Sequence, residues 1–136
     1  MKGDKIKSKF LTELEIVCVS EDLWRLNSPL EYESSLLGCK ITAPKDFYTD
    51  LASVPRVPIA YWFYGGRAHR EAVIHDYLFR KNSVPIVTCS QANKVFLEAM
   101  ASRGKKKCVR YAMYAGVCLG GWTMFHKKNV EDIIKE

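Results

Sequence analysis

Two short stretches hold most of the residues able to do chemistry: Phe47-Tyr-Thr-Asp-Leu-Ala-Ser-Val-Pro-Arg56 and His75-Asp76-Tyr77-Leu78-Phe79. The first reads as a turn carrying Thr49, Asp50, Ser53 and Arg56 between apolar anchors. The second places an imidazole and a carboxylate side by side in an oily segment of helical pattern. Unpaired polar groups in such a setting cost several kcal/mol, roughly 2–7 on transfer scales. A hydrogen-bond network, a metal ion or a substrate must compensate them.

Asp50, His75 and Asp76 together offer nitrogen and oxygen ligands suited to a divalent ion. Such an ion would polarise a carbonyl or acidify a bound water, and the remaining acid or base would move protons. A second arrangement takes Ser53 as nucleophile, His75 as base and Asp50 or Asp76 as its orienting partner. Ser53 lacks a Gly-x-Ser-x-Gly elbow, so the metal arrangement ranks first. Thr49, Arg56 and Trp62 are the candidate substrate contacts. Each residue also has a purely structural use. Asp76 can pair with Arg80 one helical turn on, His75 can bond a backbone carbonyl, and Asp50 and Ser53 can brace a turn.

The elements that must position these residues divide the chain in two. Leu14–Val19, Asp22–Leu26 and Gly38–Pro44 have strand character, separated by turn chemistry at Asn27-Ser-Pro. They imply an antiparallel meander of three or four strands. From Gly65-Gly66 onward the pattern is helical. Arg67 to Lys81 is apolar almost all round, a second helix starts near Ser90 as N-cap and ends at Gly104, and a third runs from about Lys106 to Phe125. The expected fold is α+β, a small N-terminal antiparallel sheet followed by three helices. A single domain would span 1–136, strand-rich over about 10–45, with the motif loop at 46–66 and the helical part at 67–126.

Composition narrows the function classes. With 136 residues, 48% of them hydrophobic and 12% aromatic, the chain can bury a core and is not disordered. Its five cysteines are scattered without CxxC spacing, which points to reduced thiols and away from a structural zinc site. Met1-Lys-Gly-Asp-Lys is no signal peptide, so a cytoplasmic setting is expected. The net charge of +6 sits in lysine runs that read as solvated ends, and no nucleic-acid motif accompanies them. Nucleic acid is therefore not an expected partner.

Tyr111 to Phe125 is a run of fifteen uncharged residues. As a helix it spans about 22 Å, short of the roughly 30 Å hydrocarbon core. No membrane span is expected, although a peripheral membrane contact is compatible with the run. Ala112, Gly116 and Gly120 make a smooth stripe for close packing against a neighbouring helix.

His75-Asp76-Tyr77-Leu78-Phe79 after Gly65-Gly66 resembles phospholipase A2, whose helix carries His-Asp-x-x-Tyr after a glycine-rich calcium loop. That resemblance implies calcium on Asp76 and water activation by His75, with Phe79 in place of the family's Tyr and its paired cysteines missing. A closer resemblance runs from Phe47 onward. Thr49-Asp50-Leu51-Ala52-Ser53-Val54-Pro55-Arg56, His75 to Phe79, the Ala92-Asn93-Lys94-Val95-Phe96 helix and Tyr114 through Gly116 to Trp122 are similar to a family of small tailed-phage and prophage proteins of unknown function. Asn93 stands where that family often has Asp.

The resemblance implies a bacteriophage or prophage origin, hence a location in the host cytoplasm or the virion, and brings no activity with it. The first functional expectation is a small hydrolase, divalent-metal-assisted in one form, with Asp50, His75 and Asp76 at its site and Ser53, Arg56 and Asn93 in support. Its substrate class is a cell-envelope component or a nucleotide. The alternative is a non-enzymatic phage protein, tail-associated or bound to a host factor. There the same residues form a structural network, and Tyr61-Trp62-Phe63-Tyr64 is the contact surface.

Overall fold

The computed structural model describes residues 8–20, 23–49, 69–104 and 107–120. Among them the chain forms β1 (Lys9–Phe10), β2 (Ile16–Ser20), β3 (Leu23–Leu26), β4 (Leu30–Ser34), β5 (Cys39–Ala43) and β6 (Tyr48–Thr49), then α1 (His69–Leu78), α2 (Cys89–Ser102) and α3 (Lys107–Gly120). The strands make two three-stranded antiparallel sheets, ordered β1-β4-β5 and β2-β3-β6.

This corrects the expected single small sheet followed by three helices. Six strands in two sheets against three short helices make the described chain mostly β by element count. Sequence periodicity marks which residues extend but not which strands pair. Here the chain leaves one sheet after β3, builds β4 and β5 into the other, and returns at β6. β1 and β6 are two residues each, too short for any periodic signal.

Local chemistry explains the hairpin that carries most of the first sheet. In β4, Leu30, Tyr32 and Ser34 point inward while Glu31 and Glu33 face outward, the alternation of a half-buried strand. Gly38 closes the turn into β5 with φ of 69°, a backbone region that favours glycine. The connection then bonds back to the second sheet, Leu26 N–H to Phe47 O at 3.0 Å and Asp46 N–H to Leu26 O at 2.9 Å.

The helices cover this framework. Every residue from Glu71 to Arg80 is buried, so α1 is the central helix that an all-round apolar pattern implies. It packs on α2 and on β4 and β5. α2 starts at a capping box: Gln91 N–H donates to Thr88 Oγ1 at 3.1 Å, and Thr88 N–H donates to Gln91 Oε1 at 2.9 Å. The cap is thus Thr88, not the expected Ser90, because only Thr88 has Gln three residues ahead.

α3 packs on α2, with Met113 in the core. The expected continuation of this helix to Phe125 lies outside the described residues. Among those described, no helix is long and apolar enough to cross a membrane.

One carboxylate ties α2 to the hairpin. Glu98 accepts from Tyr32 Oη and Ser34 Oγ, each at 2.8 Å, from Ser35 Oγ at 3.3 Å and from Leu36 N–H at 2.7 Å. Burial and this carboxylate together push the Tyr32 phenol well above its usual range.

Candidate functional site

α1 carries both polar residues of the second motif and turns them to different neighbours. His75 is 4% exposed, its ring centroid 4.3 Å from that of Phe79 and 5.1 Å from that of Phe96 on α2. Its Nε2 lies 2.8 Å from Asn93 Oδ1. The Asn93 amide is oriented by two thiols: its Nδ2 donates to Cys89 Sγ at 3.8 Å and Cys118 Sγ at 3.7 Å.

With the amide nitrogen so engaged, Oδ1 is the acceptor. Nε2 of His75 therefore carries the hydrogen and Nδ1 the lone pair, a tautomer assigned from the bonding pattern. Burial lowers the His75 pKa to about 4, and the Asn93 bond opposes that shift in part. The imidazole is neutral at pH 7. Burial, with Cys118 nearby, also raises the Cys89 thiol, so Cys89 is no activated nucleophile.

Asp76 faces the other way. Its Oδ2 lies 3.5 Å from Nη2 of Arg80, and both side chains are nearly out of solvent, 11% and 3% exposed. The pairing with Arg80 is thus present, but in the interior and not as a weak surface bridge. Arg80 Nη2 also donates to Tyr48 O at 3.1 Å, and its guanidinium sits 5.1 Å from the Phe47 ring centroid. α1 is in this way bound to β6, the stem of the first motif.

Thr49 is buried, opposite Trp24 in the β3–β6 register. Asp46, in the connection between β5 and β6, is exposed and faces Arg25 Nε at 3.8 Å. Asp50, Ser53, Arg56 and Trp62 lie outside the described residues. The expected metal set of Asp50, His75 and Asp76 has its first member there. Among the described residues, no three His, Cys, Asp or Glu side chains converge in a way that could hold a metal ion.

The partner that sequence reasoning placed last is the one the structure brings closest. In the sequence Asn93 stands out as a departure from a family pattern and as a supporting residue, not as the direct partner of His75. The stronger signal was an amide in a helix whose neighbours Ala92, Val95 and Phe96 are all buried.

A family model described as protein of unknown function (DUF1353) matches residues 24–117, more than half of the chain. The chain belongs to the DUF1353 family. The matched span runs from β3 into α3 and so contains His75, Asp76, Arg80 and Asn93 of this DUF1353 protein. No curated protein and no solved structure matches it.

Proposed function

We propose that this DUF1353 protein is a small phage- or prophage-encoded hydrolase in which His75 is the general base. One observation carries the proposal: the 2.8 Å bond from His75 Nε2 to Asn93 Oδ1, which leaves the lone pair on Nδ1. A general base needs a fixed tautomer and orientation, and a neutral imidazole held by an amide oxygen has both. Burial also keeps the ring free of its proton at neutral pH.

In this proposal Nδ1 takes a proton from an attacking water or from the Ser53 hydroxyl. The resulting imidazolium stays hydrogen-bonded to Asn93 and returns the proton to the leaving group. Asp50, Arg56 and Trp62 would hold the substrate, a cell-envelope component or a nucleotide, and the buried Thr49 would anchor the strand that leads to them. A divalent ion on Asp50, His75 and Asp76 would have to displace Arg80 from Asp76 and would occupy the Nδ1 lone pair, so the metal-assisted form is an alternative to the imidazole base.

A different observation favours a second reading. The Asp76–Arg80–Tyr48 chain is a closed interior network, as a non-enzymatic protein would use to lock the motif stem onto α1. Such a protein would act as a tail-associated virion component or bind a host factor. Hydrolysis assays against esters, cell-wall peptide fragments and nucleotides, with wild type and His75→Gln, separate the two. Turnover lost in a His75→Gln variant that still melts cooperatively supports the hydrolase. No turnover on any of the three classes leaves the second reading in its place. Thermal melts of wild type and His75→Ala with calcium, magnesium, manganese and zinc test the metal-assisted form, which predicts a rise that the variant abolishes.

A further inference from the structure

The start of α1, the end of α2 and the edge strand β1 enclose a half-open cavity of about 320 Å3 that shares no lining residue with the His75–Asn93 pair. Three cations line it, Lys9, Arg70 and Arg103, against one lining carboxylate, Glu13, while Phe10 and Leu11 supply a smaller apolar part of a mainly polar lining. The cations are held unequally. Arg103 Nε is 3.4 Å from Glu71 Oε2, a carboxylate with no exposed surface, so Arg103 is anchored from below while about a third of its own side chain stays exposed. Arg70 Nη2 meets Glu13 Oε1, but the Glu13 side chain is 83% exposed and stands on the rim. Lys9 forms no ion pair among the described residues.

An exposed pair of the Arg70–Glu13 kind contributes little and breaks readily. When Glu13 swings out, Arg70 presents an open guanidinium fork, the geometry suited to a planar or tetrahedral oxyanion. Lys9 and the remaining N–H groups of Arg103 add positive charge beside it.

We propose that this cavity binds a small organic anion, which takes the place of Glu13 on Arg70 and lays its apolar part against Phe10 and Leu11. Glu13 is then an internal competitor that occupies the site when no ligand is present. The oxyanion belongs either to a carboxylate or to a phosphate ester.

Titration of the full chain with butyrate and with inorganic phosphate, followed by amide NMR at low salt, tests this. We expect saturable shifts at Leu11, Thr12, Arg70 and Arg103, weakened by added sodium chloride. Glu13→Gln removes the competitor from an exposed position and tightens binding about three-fold or more, whereas Arg70→Gln weakens it by about ten-fold. Tighter butyrate assigns a carboxylate ligand, and tighter phosphate a phosphate ester. The proposal is overturned if neither anion saturates with wild type and Glu13→Gln, or if Glu13→Gln leaves the affinity unchanged.

Discussion

His75 and Asn93, eighteen residues apart and on different helices, meet in a buried hydrogen bond of 2.8 Å between Nε2 and Oδ1. This bond joins α1 to α2, fixes the imidazole tautomer and connects the second sequence motif to a helix with no obvious chemistry of its own.

A first prediction concerns pH. The folded-state pKa of His75 lies near 4 and its ordinary value near 6.5, so only the unfolded chain gains a proton as pH falls between them. The stability associated with the neutral ring is complete above about pH 6.5 and is lost progressively towards pH 4, about 3 kcal/mol in all. Urea denaturation at pH 7, 5.5 and 4 should show that fall, and His75→Leu should flatten it over the same window.

Asn93→Asp places a carboxylate where the amide oxygen now accepts. A buried negative charge against the imidazole favours its protonated form, so the His75 pKa should rise well above its wild-type value. An NMR titration of the ring protons reads it directly. An unchanged pKa would mean that His75 and residue 93 are not in contact in solution.

The interior pair Asp76–Arg80 should be costly to break from one side. Arg80→Met leaves the Asp76 carboxylate without its guanidinium and releases Tyr48 O, a loss of about 3–5 kcal/mol. The double variant Asp76→Leu, Arg80→Met should lose less than the two single losses added together. Strict additivity in equilibrium unfolding would refute the coupling.

Glu98→Ala strips the acceptor from the fully buried Tyr32 hydroxyl and from Ser34, at about 2–4 kcal/mol. Glu98→Gln, which keeps one oxygen, should lose about half as much. The two denaturation midpoints check it.

Thr88→Ala removes one half of the capping box and should lower stability by about 1 kcal/mol, whereas Ser90→Ala should be near neutral. Comparing the two melts decides which residue caps α2.

Some of this was legible in the residues themselves. The all-round apolar pattern around His75 and Asp76 implied a buried helix with compensated polar groups, and the Asp76–Arg80 spacing implied their pairing, because both depend on helical periodicity alone. The cap of α2 was legible too, through Gln91, although Ser90 drew the first reading.

What the chain by itself determined is therefore local: which segments extend or coil, and which polar side chains enter an oily setting. The tertiary structure alone decided that the strands divide into two sheets, that His75 turns to Asn93, and that Arg80 reaches Tyr48. Pairing partners of strands and contacts between helices are set by packing between segments distant in sequence, and no periodicity within one segment encodes them.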